Sequence, residues 1–294
     1  MQFLQPAARP WRVEALDYAC IDGATIGPDV MHVLRATALV ESRADQYSDY
    51  LRAVFAHRNA DWNVAIDAWN RDERQHGVAL RRLCESVDTE FNFTQCMKTY
   101  LATVDYHACD GVSVRGSVAG ELVARCVVEA LASTLYRVLS DAVRDPMSAS
   151  ILAYVAKDEA RHYGMFRALL AAEESLTGPL GRWRRLRVGI GRMLEWSDDQ
   201  IMRAAWVASD AFPAPYARRQ IAHVYAASLY GHYRYEHLHY TARLLGRTLL
   251  GSTSPLLCDG LALGLWIGVK ARWLLARLAR RRPGRHCVPA LATG

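Results

Sequence analysis

The chain has 294 residues, 51% of them hydrophobic, with a formal net charge of +6 and a pI near 9.0. That is enough apolar material to bury one large core or two modest ones, and one helical domain with appendages is the simpler reading. Seven cysteines (Cys20, Cys84, Cys96, Cys109, Cys126, Cys258 and Cys287) are odd in number and form no Cys-x-x-Cys pair. A disulfide framework and a zinc ribbon are thereby excluded, and reduced cytoplasmic thiols are expected. Met1 to Arg12 lack the apolar core of a secretory signal, which also agrees with a cytoplasmic location.

Residues 1–27 carry Pro6, Pro10, Gly23 and Gly27 and read as an irregular arm. Pro28 suits a first helical position. Behind it, Val30, Val33, Leu34 and Ala38 form an apolar face leading to Glu41, so one helix is expected from Asp29 to about His57. Asp61 is the expected cap of a second helix running to about Ser86, in which Trp62, Ala65, Ile66 and Trp69 keep the helical period as core residues. From Asp88 to Gly111 the pattern weakens to one short helical piece around Gln95 to Val104. His107 and Cys109 in its loop read as structural. Ser113 or Ser117 caps a third helix around Glu129, and Pro146 separates it from a fourth, from about Met147 to Glu174. The inner face of the fourth is Ile151, Leu152, Val155, Glu159, His162, Phe166 and Leu169. Tyr136 and Tyr163 read as packing residues with hydrogen-bonded hydroxyls.

Two stretches repeat one phrase: Asp72-Glu73-Arg74-Gln75-His76 and Asp158-Glu159-Ala160-Arg161-His162. Each places a carboxylate and an imidazole three residues apart on one helical face, a two-point grip on a metal ion. One such spacing means little; Glu236 and His239 share it without an evident partner. The first two differ in having a glutamate one helical hairpin upstream, Glu41 lying 32 residues before Glu73 and Glu129 lying 30 before Glu159. About 13 residues down, a turn of about 4 and about 13 back return a hairpin to the same height. Glu41 is therefore expected level with Glu73 and His76, and Glu129 with Glu159 and His162. Glu121 competes with Glu129 but lies about 80° away round the helix. The 56 residues from Glu73 to Glu129 leave room for a long crossover. Four helices, two giving one Glu and two giving Glu-x-x-His, are the known pattern of di-iron or di-manganese carboxylate sites. The expected class is all-α, a ferritin-like four-helix bundle over residues 28–177 with a long crossover, an N-terminal arm and additional C-terminal helices.

Asp72-Glu73-Arg74-Gln75-His76-Gly77 and Asp158-Glu159-Ala160-Arg161-His162 resemble the two metal-binding motifs of the soluble acyl-carrier-protein desaturases, over roughly Pro28 to Glu173. The resemblance implies an oxygen-dependent di-iron oxidoreductase acting on an unactivated C–H position of a fatty acyl chain. It makes Glu41, Glu73, His76, Glu129, Glu159 and His162 the ligands of two iron ions, with manganese as the alternative metal and Glu73 and Glu159 as the bridging pair. It also implies that Asp158 orients His76; the duplication extends that role to Asp72 and His162. A hydroxylase, an N-oxygenase, an aldehyde-cleaving enzyme or a non-catalytic iron-binding protein would share the ligand motif. Val155 stands where arylamine N-oxygenases carry an extra histidine.

Residues 178–294 change character. Arg182, Arg184, Arg185, Arg187 and Arg192 surround Trp183, and Lys270, Arg272, Arg277, Arg280, Arg281, Arg282 and Arg285 form a second basic cluster. Only three of the 36 basic residues are lysines, so part of this richness reads as solvated surface. Under the resemblance these clusters would dock an acidic acyl carrier protein and a ferredoxin-like electron donor, and the chain would be a homodimer. Nucleic acid has only the charge in its favour. The apolar run Leu256 to Val269 is too short and interrupted to span a bilayer; residues 256–282 read as a helix packed on the bundle, with peripheral membrane contact as the second option. The run holding His232, Glu236, His237 and His239 reads as packing.

Overall fold

The computed structural model describes residues 11–104, 111–195, 199–209, 212 and 214–281, and among them every regular element is helical. His107, Cys109, Arg282, Arg285 and Cys287 lie outside the described residues. Three short 3-10 turns (Val13–Ala15, Tyr18–Cys20, Gly23–Thr25) lead into α1 (Pro28–Glu41), α2 (Ala44–Val54), α3 (Ala60–Val87), α4 (Phe93–Thr103), α5 (Val118–Ala142) and α6 (Pro146–Thr177). Then follow α7 (Arg182–Leu194), α8 (Asp199–Val207), α9 (Arg218–Tyr230), α10 (Tyr235–Leu245), a π-helical turn at Gly246–Leu250, and α11 (Pro255–Arg281).

The hydrogen bonds give the helix directions. Between α5 and α6, Ser133 Oγ bonds to the Ala156 carbonyl and Ser140 Oγ to that of Ala149, so the partners advance in opposite senses and the pair is antiparallel. Between α3 and α6, Asp72 meets His162 and Asp158 meets His76, again antiparallel. Hence α3 and α5 run parallel, and the chain must return along the helices between them, with α4 the described helix of that return. That is the expected crossover.

Capping residues sharpen the ends. Ser117 Oγ accepts from Gly120 N at 3.1 Å at the start of α5, and Asp145 Oδ1 accepts from Ser148 N at 2.6 Å at the start of α6. At α3 the expectation is corrected: the cap position is Asn59, without a side-chain bond, and Asp61 lies inside the first turn. The single helix expected from Asp29 to His57 is also corrected. It breaks after Glu41, where Ser42 Oγ turns back to the Ala38 carbonyl at 2.7 Å. The break fits against α3 because Gly77 has no side chain; a Cβ there would stand 2.9 Å from Ser42 Oγ and 3.2 Å from Ser42 Cα.

Two apolar clusters fill the interior. One holds Leu34, Leu80, Leu83, Tyr136, Leu139, Leu152 and Val155; the other holds Ile66, Trp69, Leu122, Val127, Phe166 and Leu169. On α3, α5 and α6 alike the change from one to the other falls across Asp72–His76, Glu129–Thr134 and Asp158–His162. The repeated phrase therefore forms a polar layer between two apolar halves.

The C-terminal helices pack on this frame, α7 and α10 against α5, and α8 and α9 against α1. Helix α11 packs on α9 and α10 through Cys258, Ala262 and Ala276, which are buried, while Leu256, Leu263, Ile267 and Leu274 face outward. No single helix among the described residues is long and apolar enough to cross a membrane. Residues Tyr235–Leu250 and Pro255–Arg280, bent by 116°, pass such a test only as a pair. Cys20, Cys84, Cys96, Cys126 and Cys258 are free thiols.

Candidate metal centre

All six sequence-predicted ligands come together in the polar layer. They form two groups whose ligand atoms lie within 4.8 Å of one another: Glu41, Glu73, His76 and Glu159 in one, Glu73, Glu129, Glu159 and His162 in the other. The groups share Glu73 and Glu159, the two carboxylates of the repeated phrase. Glu41 comes from the last turn of α1, Glu129 from the middle of α5, and the two Glu-x-x-His pairs from α3 and α6.

Each histidine is held from behind by the aspartate of the other repeat. His76 Nε2 lies 3.2 Å from Asp158 Oδ2, and His162 Nε2 lies 3.3 Å from Asp72 Oδ2. A carboxylate accepts only, so each Nε2 carries the hydrogen and each Nδ1 directs a lone pair inward. There His76 Nδ1 lies 3.2 Å from Glu159 Oε1, and His162 Nδ1 lies 3.0 Å from Glu73 Oε1. Those four atoms are buried and lack an aligned hydrogen-bond partner among the described residues. Buried acceptors facing one another are unfavourable unless a proton or a metal ion stands between them. The donor set, imidazole nitrogen and carboxylate oxygen, suits a transition-metal ion, so the residues fit a metal pair and leave the metal's identity open.

The electrostatics agree. Burial, reinforced by the charges of Glu73 and Glu159, raises the Glu41 carboxyl well above the usual range; burial raises Glu129 too, against a hydrogen bond from His162. Burial also acts upward on Glu73, but the adjacent His162 and His76 imidazoles, when protonated, outweigh it and hold that carboxyl down. Both imidazoles are raised, because the surrounding carboxylates overcome the effect of burial. Without a metal the cluster must retain protons, and these are the protons that metal ions displace.

Several neighbours were not legible beforehand. Trp11 Nε1 donates to Asp158 Oδ2 at 2.8 Å, and the Trp11 ring stacks on His76 with centroids 6.2 Å apart. Arg161 bonds to Asp158 and reaches Asp72 at 3.4 Å, neutralising both supporting carboxylates; its i,i+3 spacing from Asp158 was the available signal. Burial acts to raise Asp158, yet bonds from His76 and Arg161 hold it down at about 2. Tyr136 OH donates to Glu41 Oε1, so Tyr136 belongs to the cluster's surroundings, whereas Tyr163 OH donates to the Leu244 carbonyl at 2.8 Å and serves packing.

The competing candidates are placed elsewhere. Glu121 Oε2 accepts from Tyr50 OH and from Ser113 Oγ, each at 2.8 Å, which binds the loop before α5 to α2. His237 pairs with Asp141 at 3.1 Å and His239 with Asp259 at 3.1 Å, while Glu236 is exposed. These side chains form no metal-holding group among the described residues.

Much of the basic C-terminal surface turns out to be structural. Arg184 donates to the Gly116 carbonyl, Arg185 to the carbonyls of Leu180 and Thr248, and Lys270 to that of Tyr233. Trp183 is 84% exposed, one of several uncovered large apolar residues of that region.

A cavity opens beside the cluster, with an empty volume of about 980 Å³ including its mouth. It is lined by Glu41, Glu73, Glu129 and Glu159, by apolar residues of α1, α5 and α8, and by Arg125 and Arg192. No protein-family model and no curated protein matches the chain, so the metal centre rests on its own geometry.

Proposed function

We propose that the chain is a ferritin-like, non-haem di-iron oxidoreductase that uses dioxygen to oxidise an unactivated C–H position, in the manner of the desaturases its motifs resemble. The observation that carries the reading is the pair of four-donor groups sharing Glu73 and Glu159, with both histidines oriented by crossed aspartates. When bound, the two metal ions would supply the oxidising power, which no side chain here has. The chain's own part is to hold them with Glu41, Glu73, His76, Glu129, Glu159 and His162, to set the imidazole tautomer through Asp72 and Asp158, and to offer an apolar, water-poor space for the substrate.

That space favours an enzyme over an iron-storage protein, which needs a polar route for ions. Apart from the glutamates and from Arg125 and Arg192 at one end, the cavity wall is built mostly from residues such as Val40, Leu131, Leu135 and Ile201. Within the enzyme reading a fatty acyl chain is the leading substrate; a hydroxylase, N-oxygenase or aldehyde-cleaving outcome uses the same ligands. The exposed Trp183 with its flanking arginines is the surface we assign to an acidic acyl carrier or an acidic electron donor.

The test is metal content and oxygen reactivity. Protein reconstituted anaerobically is expected to hold about two irons per chain and to show an optical transient when exposed to dioxygen. Glu129→Ala and His162→Ala should each lower iron occupancy, while Glu236→Ala and His239→Ala should not. A folded protein that binds neither iron nor manganese would overturn the proposal.

A further inference from the structure

The same cavity holds two half-buried cations that the candidate metal centre does not use. Arg125 and Arg192 both line it, with side chains only 13% and 20% exposed. Their Nε atoms are buried and have no hydrogen-bond partner among the described residues. Counter-charge is scarce. The nearest oxygen of Glu121 lies 3.8 Å from Arg125 Nε, and the other oxygen is already taken by Tyr50 and Ser113. Arg192 reaches Glu195 at 3.0 Å, but Arg115 holds both oxygens of that carboxylate at 2.6 Å. The Arg192 guanidinium is shifted down by burial and then by the charge of Arg125, so the two cations lie near each other on one cavity, and the only ion-pair partner each has among the described residues is shared with other donors.

Their position relative to the metal ligands follows from α5. Arg125 precedes Glu129 by four residues and so lies on the same face, about 6 Å along the axis. In the other direction the cavity lining continues through Ala132 to Leu135 on that helix. Arg125 to Leu135 is about 15 Å of helix, with Glu129 between a cationic end and an apolar end. Guanidinium groups match a carboxylate in charge and in fork geometry. Resting on the function proposed above, we infer that the cavity takes a free monocarboxylic acid with an apolar chain, its carboxylate held by Arg125 and Arg192 and its chain laid along α5 past the metal ligands. A carrier-bound thioester lacks the group these arginines would recognise. Held this way, the substrate presents carbon to the glutamate cluster and keeps its own negative charge away from it.

The test is calorimetric binding of dodecanoate, methyl dodecanoate and 1-dodecanol to the full chain, metal-free and metal-loaded, with metal content measured on the same samples. Dodecanoate is expected to bind at least about tenfold tighter than the ester or the alcohol, the scale of one charge-assisted hydrogen-bonded contact. The Arg125→Gln/Arg192→Gln double variant should lose that preference while its affinity for the alcohol stays unchanged. Arg125→Lys and Arg192→Lys, which keep the charge without the fork, should retain part of it. Equal binding of acid and alcohol by the wild-type chain overturns the inference even if the double variant fails to fold. So does an acid preference that survives in a folded double variant. Metal bound without acid preference would sink only the substrate assignment; acid preference without metal would sink only the metal centre.

Discussion

Trp11 Nε1 and His76 Nε2 converge on one oxygen of Asp158, at 2.8 and 3.2 Å, while the indole also covers the face of the imidazole that the aspartate orients. The arm is thus part of the support of the candidate metal centre. Trp11→Ala is expected to weaken metal retention several-fold, and Trp11→Phe, which keeps the stack and loses the bond, to fall between. Competition against a chelator checks this; wild-type retention in Trp11→Ala would show the arm to be mere cover.

The crossed aspartates make a stronger prediction. Asp158→Asn and Asp72→Asn keep size but can present an amide N–H to Nε2, which favours the wrong tautomer. Each is expected to lower metal affinity by about 10–100-fold, the usual effect of losing such a partner. Chelator competition on the two variants and the double variant would also show whether the repeats contribute equally; unchanged affinity in both singles would refute the assigned role.

Gly77→Ala tests the break after Glu41. In an ordinary helix the change would stabilise by about 1 kcal/mol. Here the new Cβ would meet backbone and side chain of Ser42 at 2.9–3.2 Å, so a loss of about 1–3 kcal/mol is expected instead. Because Ser42 follows Glu41, metal at the Glu41 group should be lost preferentially. Denaturant unfolding and metal content read the two effects, and a stabilised variant would contradict the packing.

Proton linkage gives a pH dependence. Glu41, Glu129, His76 and His162 all have raised affinities for protons in the folded, metal-free chain. Unfolded, the carboxyls titrate near about 4.3 and the imidazoles near about 6.5. The folded state therefore binds more protons above those values, and the stability these groups contribute is lost as pH rises. Glu73 and Glu159 are lowered and oppose this only below about pH 4. Metal-free protein is expected to melt at a lower temperature at about pH 8 than at about pH 6. Metal binding should release protons and tighten with pH. Melting curves and calorimetry in two buffers of different ionisation enthalpy are sufficient, and a melting temperature that rises over that range would reject the assignment.

The residues that carry the centre were legible because helical periodicity is local. A three-residue spacing puts Glu73 beside His76 and Glu159 beside His162 whatever the rest of the chain does, and hairpin arithmetic brings Glu41 and Glu129 to the same level. Capping and apolar period likewise placed the ends of α3, α4 and α6 within a few residues. The tertiary structure decided what depends on contacts between distant segments. Trp11 lies 147 residues from Asp158, and no local pattern announces that bond. The break after Glu41 depends on Gly77 across the helix pair, and the roles of Tyr136, Arg125 and Arg192 depend on which buried charge stands opposite. Sequence spacing determined which atoms could share a face; only the packing of separate helices determined which faces meet and which charges come to stand near one another.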